Sequence, residues 1–222
     1  MLTIDVMLTF FATALLLGIA PGPDNIFVLT QSAMYGTTAG VATTLGLITG
    51  LCVHTTAVAM GIAVIFQTSP LAFALLKTIG AAYLLWLAWL SFRAGATQVD
   101  ITPKTPLEPP QPMNQQAGFP GHAALYRRGI VMNVTNPKVS IFFLAFLPQF
   151  CDANHGSMAL QVIILGVLFM LATLVVFCTV AALGGRLAVW FNRSPRGQIL
   201  IQRVAGCVFV ALAIALILTQ NV

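Results

Sequence analysis

The 222 residues are 59% hydrophobic and 7% charged, whereas soluble domains run about 45–50% apolar and about 25% charged. So few charges cannot clothe a soluble globule of this size, and they point to a surface that faces lipid. The net charge of +5 is no nucleic-acid footprint, because the Lys and Arg residues are scattered beside apolar runs, where they set orientation in a bilayer.

Six apolar segments follow in chain order: residues 4–35, 40–66, 70–92, 129–150, 158–182 and 199–219. A helix of about 20 apolar residues crosses about 30 Å of hydrocarbon, and a helix satisfies its own backbone there. The predicted fold is an all-α integral membrane protein of about six transmembrane helices. The first segment is apolar from Ile4 and has no early Lys or Arg, so it reads as a retained span rather than a cleaved signal peptide.

Two segments cannot be single straight helices. The first has 32 residues, about 48 Å at 1.5 Å per residue, with Pro21-Gly22-Pro23 near its middle. The fourth contains Asn136-Pro137. Proline lacks a backbone donor and clashes with the preceding turn, so both spans are expected to be broken or sharply kinked inside the membrane. Each break starts a new half-helix. Asn136 is a good N-cap with Pro137 as first helical residue, and Asp24 and Asn25 follow Pro23 in the same way. Backbone N–H groups at such starts favour an anion. Asp24 and Lys138 each directly follow a break proline. Lys138 is ten residues past Arg128, about 15 Å deep, and a charge there is costly and usually functional. The two are expected either to hold the amino and carboxyl groups of a zwitterion or to pair with each other.

On the second span Thr43, Gly46, Gly50, His54, Ala57 and Gly61 fall within roughly 80° of a helical wheel. Small residues allow close helix approach in membranes, so His54 should point into the bundle, either relaying protons or bonding a neighbouring helix. Lys77 reads as a snorkelling side chain. Gly36-x-x-x-Gly40 and Gly46-x-x-x-Gly50 permit close contacts within one chain or in a homo-oligomer. Three scattered histidines, His54, His122 and His155, and four dispersed cysteines, Cys52, Cys151, Cys178 and Cys207, give no metal-ligand spacing and no C-x-x-C pair. Neither a metal nor an organic cofactor is implied.

Residues 93–122 hold six of the twelve prolines and read as a flexible linker between two three-helix halves, 1–92 and 123–222. Lys77-x-x-Gly80-x-x-Tyr83 in the first half matches Arg203-x-x-Gly206-x-x-Phe209 in the second. Pro23 followed by Ile26-Phe27-Val28-Leu29 matches Pro137 followed by Ile141-Phe142-Phe143-Leu144. An odd number of spans per half makes the copies inverted, and matched breaks in inverted repeats are the sequence pointer to a transporter binding site.

The run Pro21-Gly22-Pro23-Asp24-Asn25 resembles the signature of the LysE/RhtB amino-acid exporters. So do Asn133-Val134-Thr135-Asn136-Pro137-Lys138, Leu147-Pro148-Gln149-Phe150 and Gly80-Ala81-Ala82-Tyr83-Leu84. The resemblance implies a small bacterial inner-membrane protein, not an enzyme, that exports amino acids or relatives such as homoserine, threonine, leucine or lysine, driven by the proton gradient. With it, the expected substrate-binding set is Pro21, Gly22, Pro23, Asp24, Asn25, Asn133, Asn136, Pro137 and Lys138. The proton-coupling candidates are His54 and Asp24. A competing class is a thiol-disulfide electron carrier of a related branch, but the first span has no cysteine. An intramembrane hydrolase using Ser140 or Ser32 with His54 has no supporting motif.

Orientation follows from charge. Arg93, Lys104, Arg127, Arg128, Arg186, Arg193, Arg196 and Arg203 lie in or beside two connections, and the two opposite ones carry no Lys or Arg. The positive-inside rule puts the basic connections in the cytoplasm and both termini in the periplasm. A cysteine placed at position 109 of a cysteine-free protein is therefore expected to label only from the cytoplasmic side. Labelling from outside intact cells would reverse the orientation.

Overall fold

A computed structural model describes residues 2–68, 70–96 and 118–218. Most of the linker expected over 93–122 lies outside these described residues. Eight α-helices follow: α1 Ile4–Ile19, α2 Pro23–Tyr35, α3 Thr37–Thr68, α4 Pro70–Arg93, α5 His122–Val134, α6 Pro137–Ile141, α7 Met158–Arg193 and α8 Pro195–Leu218. After α6 the chain continues as a π-helical turn, Phe142–Phe146, and a 3-10 turn, Leu147–Phe150. Four helices begin on a proline, Pro23, Pro70, Pro137 and Pro195, where its fixed φ suits the first turn and its missing N–H has no partner to lose.

Helices α3, α4, α7 and α8 are each long and apolar enough to cross a membrane. The pair α1 and α2 bends by 63°, and the pair α5 and α6 with its π and 3-10 extension bends by 49°, so each pair makes one broken span. The total is six. The expected breaks stand where Pro21–Pro23 and Asn136-Pro137 were read. The ends differ: the fourth span starts at His122 rather than 129, and α7 runs on to Arg193 rather than 182. Charged residues lowered the apparent apolarity of those ends, yet Arg127, Arg128, Arg186 and Arg193 sit on helical turns. Large apolar side chains such as Ile4, Leu8, Met60, Leu71, Ile79 and Leu200 are exposed around the bundle, as lipid-facing positions require.

Glycines fix how the helices cross. A Cβ on Gly129 of α5 would stand 2.5 Å from the Thr43 carbonyl of α3, and one on Gly50 would stand 2.7 Å from Asn133 Cβ. These rising pairs make α3 and α5 parallel. Gly18 faces Val176 and Gly184 faces Ser32, so α7 runs parallel to α1 and α2. Gly80 of α4 faces Leu216 of α8, while Gly206 of α8 faces Phe92 of α4, so that pair is antiparallel with matched glycines. Helices α3 and α7 thus pack along the broken spans α5–α6 and α1–α2, and α4 and α8 pack on each other. Gly40, Gly46 and Gly50, which sequence left open to contacts within or between chains, all meet atoms of their own chain.

The ends are tied as well. The Tyr35 hydroxyl donates to the Gly118 carbonyl at 3.1 Å, and His122 Nε2 lies 3.2 Å from Thr38 Oγ1. These contacts set the start of α5 beside the α2–α3 junction, where Gly36 turns the chain at φ 86°. Gly129→Ala places a methyl against the α3 backbone, and overpacking of this kind costs about 1–3 kcal/mol. The expected outcome is a lower melting temperature in detergent for Gly129→Ala and no change for Gly61→Ala, whose Cβ would meet nothing within 4 Å.

Candidate functional site

The two helix breaks face each other across the bundle. A helix ending inside hydrocarbon leaves its last carbonyls without intrahelical donors, and no water is there to replace them. At the end of α1 the orphaned carbonyls are those of Leu17, Gly18 and Ala20. Lys138 Nζ, from the start of α6, donates to the Leu17 and Ala20 oxygens at 2.9 Å each. Asn25 Nδ2, from the first turn of α2, donates to Gly18 O at 2.7 Å. At the end of α5, Pro137 lacks the N–H that would continue the helix, and Asn133 O accepts instead from the Asn136 N–H at 3.0 Å and from His54 Nε2 of α3 at 3.1 Å. A carbonyl can only accept, so this ring nitrogen carries the proton.

The starts of the new helices are capped in the same neighbourhood. Asn136 Oδ1 accepts from the Lys138 N–H at 3.0 Å, and its Nδ2 donates to Asp24 Oδ2 at 3.0 Å. One side chain thus caps α6 and holds the acid that opens α2. The Gly22 position lies against Lys138, whose Nζ would be 3.7 Å from a Cβ there. The Lys138 ammonium also sits 5.6 Å above the Phe209 ring of α8.

Asp24 and Lys138 therefore reach one cavity without forming a direct ion pair among the described residues, each having other partners. Leu17, Gly18, Gly22, Asp24, Asn25, Asn133, Asn136, Lys138, Val139, Phe169, Thr173 and Phe177 line it. Asp24 and Asn133 are 6% and 2% exposed, and in each the Oδ1 atom has no hydrogen-bond partner. Buried acceptors are rarely left so. The cavity volume is about 30 Å³, enough for one water and too small for an amino acid.

Of the residues expected from sequence, Gly22, Asp24, Asn25, Asn133, Asn136 and Lys138 line the cavity, while Pro21, Pro23 and Pro137 shape the breaks. His54 stands behind Asn133, with its ring centroid 5.7 Å from that of Phe143, and is not part of the lining. Sequence reasoning missed Phe169, Thr173 and Phe177. Their i, i+4, i+8 spacing marks one face of α7, but nothing in an apolar run says which face looks at the breaks. Ser32 and Ser140 donate to Val28 O and Asn136 O on their own helices, so neither is paired with His54 for nucleophilic chemistry. All four cysteines are free thiols.

The family model for LysE type translocators matches residues 15–220. The chain belongs to the LysE type translocator family. It is 33% identical over 209 residues to a homoserine/homoserine lactone efflux protein of Salmonella typhimurium, covering 94% of each chain. It is 27% identical over 217 residues to a leucine efflux protein of Klebsiella pneumoniae, covering 96% of this chain and 95% of the relative. An uncharacterised membrane protein of Vibrio cholerae is 31% identical over 207 residues, 93% of this chain and 94% of the relative. No solved structure matches significantly.

In this LysE-family chain the break residues carry a structural duty that can be measured apart from any ligand. Asn25→Ala leaves the Gly18 carbonyl unpaired, which costs about 1–3 kcal/mol for a buried group. A lower melting temperature in detergent is expected, and Asn25→Asp should not restore it, because a carboxylate cannot donate. A melting curve unchanged by both substitutions would show that the contact contributes nothing.

Proposed function

We propose that this chain exports a small amino acid or close relative across the bacterial inner membrane, by proton antiport and alternating access between two inverted three-helix halves. The observation that carries the reading is the meeting of both helix breaks at one buried cavity, with an acid and a base that are not paired to each other. Such half-helix ends are where transporters hold polar solutes in the membrane.

The chemistry fits an α-amino head group. Asp24 Oδ1 and Asn133 Oδ1 are two buried acceptors without donors, and an ammonium brings three N–H groups. The relatives' names fit this reading: homoserine, its lactone and leucine share the amino group, although the lactone has no free carboxylate. For a zwitterion, the carboxylate goes to the first-turn N–H groups of α2 and to Lys138, where the helix dipole adds to the charge. Because the cavity has only about 30 Å³, the substrate enters a more open state. Opening separates Lys138 from the α1 carbonyls, and the ammonium then exchanges those oxygens for the substrate's. Protons return through Asp24 or His54, both beside Asn133 or Asn136. His54 is bonded to the carbonyl of the very residue whose side chain faces the substrate, so its protonation is felt at the site.

Inside-out vesicles and proteoliposomes with homoserine test this. Wild-type protein is expected to drive counterflow and to respond to an imposed pH gradient. Removing a charged partner costs about 1.5–3 kcal/mol, so Asp24→Asn should weaken binding roughly 10- to 100-fold. Lys138→Met, checked to be folded, should abolish binding of the zwitterion. His54→Gln keeps a donor for Asn133 O, so gradient-driven export should fall while exchange persists. Undiminished exchange by both Asp24→Asn and Lys138→Met would overturn the site. Exchange that ignores the pH gradient would overturn the coupling.

A further inference from the structure

The charged groups of the cavity all come from the two breaks, and the opposite wall is α7. That wall presents Phe169, Thr173 and Phe177, one helical turn apart. Phe169 is held rigidly, its ring centroid 5.2 Å from both Phe142 and Phe143. All three residues are nearly fully buried, Thr173 being 5% exposed.

Thr173 differs from the other buried threonines of this chain. Thr43, Thr44 and Thr55 turn their hydroxyls back onto the carbonyl four residues earlier, at 2.9, 2.9 and 2.8 Å. This is the usual way for a helical threonine to satisfy itself in a dry environment. Thr173 makes no hydrogen bond with any described residue, although Phe169 O is in the corresponding place. The residue is only 5% exposed and lines the cavity, so its unpartnered hydroxyl is open to whatever the cavity holds.

We infer that Thr173 selects the substrate's side chain, favouring a short, neutral, hydroxyl-bearing one over an aliphatic one of the same size. The inference rests on the amino-acid export reading, with the amino and carboxyl groups held at the breaks. The side chain of a substrate so held points across the cavity to α7. A threonine hydroxyl both donates and accepts, so it matches another hydroxyl, and it supplies no counter-charge for a basic or acidic side chain. The Phe169 and Phe177 rings on either side bracket the methylene carbons. A site built to bond a hydroxyl rejects the analogue that lacks it much more strongly than an apolar pocket rejects an added hydroxyl.

Homoserine and norvaline differ by a hydroxyl for a methyl and so form the test pair. Initial counterflow rates in proteoliposomes are measured for both, with wild type, Thr173→Ser and Thr173→Val. Wild type is expected to prefer homoserine by about tenfold or more. Thr173→Ser should stay within about threefold of that ratio, since it keeps the hydroxyl. Thr173→Val should lose the preference while still carrying norvaline. A wild type that carries both equally, or a Thr173→Val variant that carries both with the ratio intact, overturns the selector role and leaves the export reading standing. Failure of wild type to carry any of the standard amino acids, homoserine or norvaline overturns both. Should Thr173→Val not fold, the wild-type ratio and Thr173→Ser still decide, because an aliphatic preference in either contradicts the inference.

Discussion

Hydrocarbon offers no hydrogen bonds, so every backbone group that a broken helix releases must be bonded by protein. This chain breaks two of its spans, and each break is repaired largely by side chains from other elements. Lys138 of the fourth span bonds the carbonyls that end α1. Asn136 of the fourth span holds the Asp24 that begins α2. His54 of the second span adds a second donor to the Asn133 carbonyl at the end of α5, beside the Asn136 N–H. Polar side chains at the two breaks are thereby held by the structure around one cavity. Remove one break, and the partners of the other lose their reason to be buried.

The packing of the remaining helices serves to bring those repairs into register. Parallel contact of α3 with α5 through Gly46, Gly50 and Gly129 puts His54 beside Asn133. Parallel contact of α7 with α1 and α2 through Gly18 and Gly184 puts Thr173 opposite Asp24. Small residues matter because a bulkier contact would move one helix relative to the other and shift the polar atoms out of reach. Next to the cavity that Phe169 helps to line, Phe10, Phe142, Phe150 and Phe169 pack in tilted and edge-on contacts, in part on a π-helical turn. Such turns recur at functional sites, where they displace side chains from ordinary helical positions.

Much of this was legible in the chain. Proline in an apolar run has few meanings, so Pro21–Pro23 and Asn136-Pro137 announced the breaks, and the acid and the base directly after them line one cavity. The small-residue stripe of α3 correctly pointed His54 inward. What sequence did not give was partnership. Lys138 and Asp24 were read as candidates for one ligand or for each other, whereas Lys138 bonds carbonyls that no side-chain pattern displays. Backbone acceptors carry no letter in the sequence. Thr173 was hidden for the related reason that a lone threonine in a lipid-spanning helix looks like any other until its hydroxyl is seen to lack the usual carbonyl. The helices reach His122 and Arg193, beyond the apolar segments 129–150 and 158–182, because hydropathy marks the lipid slab while the helix continues through its charged margins.

The small size of the cavity has a consequence for measured affinity. A space of about 30 Å³ cannot hold an amino acid, so under the export reading proposed above only molecules with the breaks drawn apart would bind one. The apparent dissociation constant is then the intrinsic one divided by the competent fraction. Each hydrogen bond from Lys138 to α1 would deepen that tax, and each substitution that loosens it would lighten it. On that reading, affinity and cycling speed would be set against each other by the same two carbonyl oxygens, those of Leu17 and Ala20, that hold Lys138.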